Sequence, residues 1–510
     1  MKKIIALLLA VVMVAALFAG CAKTETPATT PATEPANNGG ETTATEPAAP
    51  ADGDVPTLVW YAVGSGMPNN YDAWKANLDA YLEEKIGVHL DYQCVGWGDW
   101  GDRRTNLVQT NQPYDIMFTD MGSYVRDVNM GAFADITELL ATTPALTDLI
   151  PADYFNACQV NGKVYGVPTY KDSSMSNYFV WTLDYDSYAG QGGKMEEIAP
   201  DYESKHTLAD IYDTLAAVNA ASGTVFALNQ DGVSAIVGNK YDNVGTGLGA
   251  IGVAYKGGEA VAVPTFEQED VLADLRVMHQ MYTNGLINSD AAVVSNTDNV
   301  LAAVAVCQGW PYAAHTAWGY ETGRKTPVVA IQYEDTVLSN DTVQGSMNCI
   351  SASSKYPEKA LALLELVNTD PYVRDSLYYG LEGDDWDYVE VNGEQRVHRN
   401  KTDWTFAGYT QGTFFIVTPE DSTEFNYWTE VQELNANAIA SPALGFSLDT
   451  KEIGDALAAC QAIYDNYKSA LLTGTMDPDV VAPQMMAEMR AAGFDSVLEG
   501  VNAQLAAWAN

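Results

Sequence analysis

The segment that begins at residue 57 alternates short apolar runs with helical patterns, and this alternation constrains the fold more than any other feature of the sequence. The runs TLVWYAV (57–63), VHLDYQCV (88–95) and YDIMFTD (114–120) predict strands, whereas residues 72–85 carry apolar side chains at helical spacing. Such alternation produces a parallel sheet covered by helices. Because ligands of these sheets bind beyond the carboxyl ends of the strands, we expect a site in the loops that follow them.

The N-terminus has the pattern of an export signal. Lys2 and Lys3 precede an unbroken apolar run at 4–18, and the stretch LFAGC, which ends at Cys21, resembles the lipobox of bacterial lipoproteins. We interpret residues 1–20 as a lipoprotein signal peptide and Cys21 as the lipidated residue; the alternative is an ordinary secretory peptide with a chance cysteine. Residues 21–56 are almost wholly Ala, Thr, Pro, Glu, Asn and Gly, which predicts a disordered tether.

The charge balance restricts the partners of the chain. The 67 acidic residues outnumber the 26 basic ones, for a formal charge of -41. So acidic a surface argues against nucleic acid and anionic lipid as binding partners. The five cysteines other than Cys21 are scattered, and none stands in a CxxC or other metal-ligand spacing. The sequence therefore predicts neither a nucleic-acid partner nor a metal site.

The length of the chain predicts more than one folded unit. About 455 residues follow the tether, which is too many for a single hydrophobic core. The segment NGKVYGVPTYKD (161–172) combines a turn, a short strand and a proline, so we expect the chain to cross between two lobes there. The predicted division is lobe 1 at 57–172, with part of 306–345 returning to it, lobe 2 at 173–305, continued in 346–380, and a mostly helical C-terminal region at 381–510 packed on the lobes.

Signatures of catalysis are weak. The sequence has no Walker A, G-x-S-x-G or HExxH motif. Residues 247–252 fit G-x-G-x-x-G, but no strand and helix flank the pattern, so no dinucleotide cofactor is predicted. The carboxylates at 384–387 lack the glycine turn and closing Glu of an EF-hand loop, which favours a solvated acidic turn over a calcium site. We therefore expect no catalytic residue and no cofactor.

Four stretches resemble a known family. GKVYGVPTY, MYTNGLINSDAA, SPALGFSLDTKEI and, most specifically, the segment 345–383 are similar to the family 1 extracellular solute-binding lipoproteins of bacterial ABC transporters, in the branch with an extra C-terminal helical region. The resemblance implies an α/β, two-lobed, periplasmic-binding-protein-like (type II) fold with hinge strands. It also implies a monomer, lipid-anchored to the cell membrane and facing outward, that captures a carbohydrate, commonly an oligosaccharide, and delivers it to a permease.

Two other functions stay open on the sequence alone. Glycoside hydrolysis needs only two carboxylates that meet in space, so an exported carbohydrate-active enzyme is one alternative. A binding protein for a non-sugar solute, such as a peptide, is the other.

Aromatic residues supply the most informative candidates for a binding site. Many fall at strand ends or in loops, where core packing does not call for large rings. A pyranose has an apolar C–H face and a polar rim, so it suits an aromatic ring beneath it and carboxylates or amides around its edge. Core packing explains any single Trp equally well, but the set favours a sugar site. The predicted ligand-binding residues are Tyr61, Trp97, Trp100, Asp120, Tyr170, Asp172, Trp310, Tyr312, Trp318, Asn348 and Trp386.

Overall fold

The computed structural model describes residues 55–110, 112–181, 205–309, 329–423, 426 and 428–509. The predicted signal peptide, the tether up to residue 54 and Cys21 lie outside these ranges. The strands are β1 (Thr57–Gly64), β2 (His89–Gly96), β3 (Ile116–Thr119), β4 (Gln159–Val160), β5 (Lys163–Val164), β6 (Gly166–Pro168), β7 (Met175–Trp181), β8 (Lys205–His206), β9 (Val225–Phe226), β10 (Tyr241–Asp242), β11 (Ile251–Ala254), β12 (Ala262–Pro264), β13 (Ala302–Gln308), β14 (Val329–Leu338), β15 (Met347–Ile350), β16 (Trp386–Val391), β17 (Glu394–Arg399) and β18 (Ile439–Ala440).

The α-helices cover both lobes and the C-terminal region. They are α1 (Tyr71–Ile86), α2 (Trp100–Thr110), α3 (Tyr124–Asn129), α4 (Pro144–Leu149), α5 (Ala152–Ala157), α6 (Tyr212–Ser222), α7 (Ala235–Gly238), α8 (Glu269–Thr283), α9 (Asn340–Gln344), α10 (Pro357–Thr369), α11 (Pro371–Tyr379), α12 (Trp428–Ala436), α13 (Gly454–Leu472), α14 (Pro478–Ala491) and α15 (Phe494–Trp508). Within the described residues, no helix is long and apolar enough to cross a bilayer.

The first strands and helices follow the sequence prediction. Helix α1 buries Trp74, Leu78 and Leu82, which recur every four residues and so lie on one face of the helix. The helix ends at Gly87, whose φ of 64° is left-handed and favours glycine. Strand β1 pairs in parallel with both β2 and β3. The predicted parallel arrangement of these strands is therefore confirmed.

The first lobe is built on a five-stranded sheet in the order β2-β1-β3-β15-β6. Strand β15 comes from much later in the chain and lies antiparallel between β3 and β6. Its four residues are all buried. Helix α10 adds Ala360, Leu361 and Leu364 to the same core. The core of the first lobe thus combines two distant parts of the sequence.

The second lobe contains a six-stranded sheet, in which β18, β14, β7, β13 and β9 are neighbours in that order and β8 pairs with β14. Strand β7 is antiparallel to both β13 and β14. Helices α13, α14 and α15 pack on this lobe, since Cys460, Met485 and Val501 belong to its buried core. The C-terminal helices therefore complete the second lobe.

The structure assigns the returning segments differently from the sequence expectation. The sequence predicts part of 306–345 in lobe 1 and 346–380 in lobe 2, but β14 pairs in the second sheet, whereas β15 pairs in the first and α10 and α11 pack on its core. Residues 381–423, expected to be mostly helical, carry the β16–β17 hairpin. Apolar periodicity predicts that a strand is buried, but it does not predict which sheet the strand joins. The sequence therefore does not determine which lobe contains β14 and which contains β15.

Within the described residues, the chain passes between the lobes three times: between β6 and β7, between β14 and β15, and between α12 and β18. The crossings are bonded to one another. The N–H of Thr169 on the first crossing donates to the carbonyl of Ser346 on the second (3.0 Å), and the N–H of Ser441, just past the third, donates to the carbonyl of Leu338 (2.8 Å). Adjacent crossings of this kind form a hinge about which two lobes can rotate.

Candidate ligand-binding cleft

Large apolar side chains are exposed where the parallel strands of the first sheet end. Met67 follows β1, Trp97 follows β2 and Met121 follows β3, and they are 41%, 54% and 56% exposed. Exposed apolar side chains that gather in one region mark a binding surface. This is the edge at which the strand order predicts a ligand site.

The rings of Trp97 and Tyr409 form the centre of this edge. Their centroids are 6.2 Å apart and their planes are inclined by 17°. Phe118 packs edge-on against Tyr409 at 5.9 Å, and Trp100 lies against Phe118 at 6.0 Å. Trp97 is therefore supported by Tyr409 while more than half of its surface stays open to solvent.

Charged side chains border the Trp97–Tyr409 pair. Lys171 Nζ lies 5.8 Å from the centroid of the Tyr409 ring and 2.6 Å from Oδ1 of Asp172. Burial and, after it, the charge of Asp120 raise the pKa of Tyr409, which keeps its hydroxyl protonated and able to donate. An apolar surface with carboxylates and an ammonium group at its border matches the face and rim of a pyranose.

A second aromatic group lies beside the first crossing between the lobes. The ring of Tyr170 is half-buried and packs edge-on against Tyr154 (5.1 Å) and Phe415 (4.7 Å). The carbonyl of Tyr170 accepts from the N–H of Phe414 (3.3 Å), which ties this group to the loop that carries Tyr409. We call the following residues the aromatic surface: Trp97, Tyr170, Tyr409 and Phe415.

A groove of about 710 Å³ lies between the two lobes. The first lobe contributes Met121, Arg126 and Asn161 to its walls, and the second lobe contributes Asp341 and Asp449, among others. The turn at 120–122 borders both features, because Met121 lines the groove and the preceding Asp120 acts on Tyr409. The turn at 120–122 therefore connects the aromatic surface to the groove.

Two of the predicted residues, Tyr61 and Trp100, pack against other side chains of the first lobe. The hydroxyl of Tyr61 accepts from Arg103 Nη2 at 2.6 Å, and the guanidinium of this α2 residue lies 4.8 Å from the Tyr61 ring centroid. Trp100 is 8% exposed and supports Phe118 from beneath. Side chains alternate between the faces of a strand, and this alternation turns Tyr61 toward α2.

Asn348 and Trp386 lie in the interior and present no surface to a solute. Asn348 is 1% exposed, and its Oδ1 accepts from Trp60 Nε1 (3.1 Å). Trp386 is fully buried, and its Nε1 donates to the carbonyl of Gly380 (2.9 Å). A Trp or Asn can serve equally in a core and in a site, so residue type alone did not separate the two.

Trp310, Tyr312 and Trp318 lie outside the described residues. The last described residue before them, Gly309, donates its N–H to the carbonyl of Ser176 (3.0 Å). Strand β13 therefore ends beside the first crossing between the lobes.

The acidic turn at 384–387 is bonded to its neighbours. Asn70 Nδ2 lies 2.9 Å from carboxylate oxygens of both Asp384 and Asp385. Lys401 Nζ lies 2.5 Å from Oδ1 of Asp384. In the described parts of the chain, no group of three or more His, Cys, Asp or Glu side chains is arranged to hold a metal ion.

Sequence reasoning missed three residues of the cleft, namely Lys171, Tyr409 and Phe415. Lys171 stands between the two predicted residues Tyr170 and Asp172. Tyr409 falls in AGYTQG (407–412), within a region that was expected to be mostly helical. The two glycines around this tyrosine were the available signal, since they indicate a loop that presents a large ring.

Comparison with known proteins agrees with this architecture. Residues 442–510 match the family model described as a domain of unknown function (DUF3502). The chain is 27% identical over 497 residues to a carbohydrate ABC transporter substrate-binding protein from Streptococcus pneumoniae, covering 91% of this chain and 93% of that protein.

Solved structures give the same result. The N-glycan transport solute binding protein NgtS from Streptococcus pneumoniae is 26% identical, with a TM-score of 0.76, over 88% of this chain and 98% of that one. NgtS in complex with Man5GlcNAc is 25% identical over the same shares, with a TM-score of 0.64. These matches confirm the resemblance drawn from the sequence: this chain is similar, in sequence and in its two-lobed α/β fold, to solute-binding proteins of ABC transporters.

Proposed function

We propose that this protein captures an oligosaccharide in the cleft between its lobes and delivers it to the permease of an ABC transporter. It does so on the outer face of the cell membrane, held by a lipid on Cys21 and by the tether that follows. The observation that carries the proposal is the aromatic surface at the carboxyl edge of the first sheet, where Trp97 is open to solvent and backed by Tyr409.

The chemistry of the cleft supports a sugar over a peptide. Trp97 offers a flat apolar surface to the C–H face of a pyranose, and Asp120, Lys171 and Asp172 would offer hydrogen-bond partners to the hydroxyl groups at the rim of the ring. The groove volume of about 710 Å³ falls within the range of roughly 300 to 1,000 Å³ that is usual for small-molecule sites. These dimensions support a chain of two or more sugars as the solute.

The similar proteins also support a sugar as the solute. NgtS is described as an N-glycan transport protein and has been solved with Man1GlcNAc and with Man5GlcNAc. Its complexes match this chain less well in TM-score than NgtS described without a sugar.

A binding screen tests the proposal. Thermal unfolding is measured with Man5GlcNAc, other oligosaccharides, monosaccharides and short peptides, because a ligand at a hundred times its Kd stabilises a protein by about 2.7 kcal/mol. We expect the largest shift with an oligosaccharide and none with peptides. A shift with peptides alone would overturn the sugar proposal, and release of new reducing ends with turnover would favour the enzyme alternative.

Matched variants locate the site. Met121→Ala removes an exposed apolar side chain from the groove, and Met476→Ala removes a similarly exposed one from the second lobe outside it. We expect only Met121→Ala to weaken binding. Small-angle scattering with and without the sugar then measures closure, and an unchanged radius of gyration at saturation would count against the hinge.

A further inference from the structure

The loop Gly408–Thr413 is held in an unusual way. Each of its six consecutive carbonyl groups accepts a hydrogen bond from a side chain elsewhere in the first lobe. Arg374 donates to the carbonyls of Gly408 (2.8 Å), Gly412 (3.4 Å) and Thr413 (2.7 Å), Ser346 to that of Tyr409 (2.7 Å), and Asn348 to those of Thr410 and Gln411 (3.0 Å each). Three side chains therefore donate the hydrogen bonds that these backbone carbonyls, which belong to no strand, accept.

The strongest of these donors is a buried charge. Arg374 on α11 is fully buried, and its remaining Nη1 donates to Oε1 of Gln411 at 2.8 Å. Removing a guanidinium from water is costly unless its hydrogen bonds are replaced. All the partners named here belong to the loop 408–413, so a buried charge stabilises the conformation of one loop.

The aromatic residue of this loop is Tyr409, and its side chain is partly exposed. Thr410, Gln411 and Thr413 are fully buried, whereas Tyr409 is partly exposed. The Tyr409 ring contacts Trp97, Phe118 and Lys171. Fixing this backbone therefore fixes the ring on which Trp97 is stacked.

We infer that Arg374, Asn348 and Ser346 are positioning residues for Tyr409, and that they hold its ring against Trp97 before any solute arrives. The part of this inference that concerns the solute rests on the proposed function. Aromatic side chains that are already ordered lose less conformational freedom when a ligand stacks on them, and this improves affinity without an added contact. Asn348 thus acts on the site from the interior, through the backbone of the loop.

The first test needs no ligand. Near-ultraviolet circular dichroism of the full chain is compared with that of its Trp97→Phe variant, and the difference is the signal of Trp97 in its stack. The same difference is then measured in a Ser346→Ala background, which removes one donor to Tyr409, and in an Arg374→Lys background, which keeps the charge but not the planar fork of donors. Ser222→Ala is the control, since the Ser222 hydroxyl also donates to a carbonyl, that of Val218 at 2.8 Å, far from the loop.

We expect Ser346→Ala and Arg374→Lys each to reduce the Trp97 signal by about twofold or more, and Ser222→Ala to leave it unchanged. A Trp97 signal that stays intact in the Ser346→Ala chain overturns the inference. Ser346→Ala removes a single hydroxyl and so decides the question even where Arg374→Lys fails to fold.

The second test uses Man5GlcNAc and a double-mutant cycle. We expect Ser346→Ala to weaken binding by about threefold or more in the chain with Tyr409, and to have no further effect in a Tyr409→Ala chain. An equal loss in both backgrounds overturns the inference, because Ser346 would then act independently of Tyr409. If the wild-type chain does not bind Man5GlcNAc, the proposed function fails for this sugar, while the dichroism result still decides the positioning role.

Discussion

Replacing Trp97 by Ala tests whether the aromatic surface binds the solute. The side chain is 54% exposed, and its ring stacks on Tyr409 at 6.2 Å. Truncating a fully buried Trp costs about 3 to 5 kcal/mol of unfolding free energy. Because about half of this side chain is already in water, we expect Trp97→Ala to lower the unfolding free energy by roughly 1 to 2 kcal/mol.

The loss of binding free energy that we expect for Trp97→Ala is larger than this loss of unfolding free energy. A Trp that anchors a ligand contributes about 2 kcal/mol or more to binding, which corresponds to about thirtyfold in Kd. Calorimetric titration with the oligosaccharide that gives the largest thermal shift measures this loss, and a urea melt of the same variant measures stability. Trp97→Phe keeps a ring on Tyr409 and should recover most of the affinity.

Trp386→Ala is the matched control. Trp386 is fully buried in the first lobe, so its truncation should lower the unfolding free energy by about 3 to 5 kcal/mol and leave the Kd of the folded protein unchanged. The reasoning is refuted if Trp97→Ala behaves in the same way, with a large loss of stability and a Kd within about twofold of the wild type.

Three further predictions concern the anchor, the hinge and pH. Cys21→Ser should release the protein from the membrane fraction and leave the Kd for the sugar unchanged; a variant that stays in the membrane fraction contradicts lipidation. Asn435→Ala removes hydrogen bonds to Ser174 (2.8 Å) and to the carbonyl of Lys171 (2.5 Å) at the hinge, so a urea melt should show a loss of about 1 to 3 kcal/mol. Burial raises the pKa of Asp242 from 3.8 to about 6. The folded chain then binds more protons than the unfolded chain between about pH 4 and pH 6, and the stability of the wild type relative to Asp242→Asn should fall as pH rises through this window; a rise would contradict it.

The sequence was sufficient for the local structure of the first lobe. Strands β1 to β3 and helix α1 follow from short-range patterns, and the parallel strands predict a candidate site at their carboxyl edge. The position of β15 in the first sheet depends on pairing between residues far apart in the chain, and no local sequence pattern predicts such pairing. Asn348 shows the same limit beneath the candidate site, because its partners Trp60 and the 408–413 loop come together only through the fold.

The position of Ser346 has a mechanical consequence. Its carbonyl accepts from Thr169 where two crossings meet, and its hydroxyl holds the carbonyl of Tyr409. In a rotation, each atom travels in proportion to its distance from the axis, so Tyr409 has a short lever arm, whereas groove walls far from the crossings have a long one. We therefore expect a sugar that first stacks beside Tyr409 to stay almost stationary relative to the pivot, so that closure would bring the second lobe to the sugar.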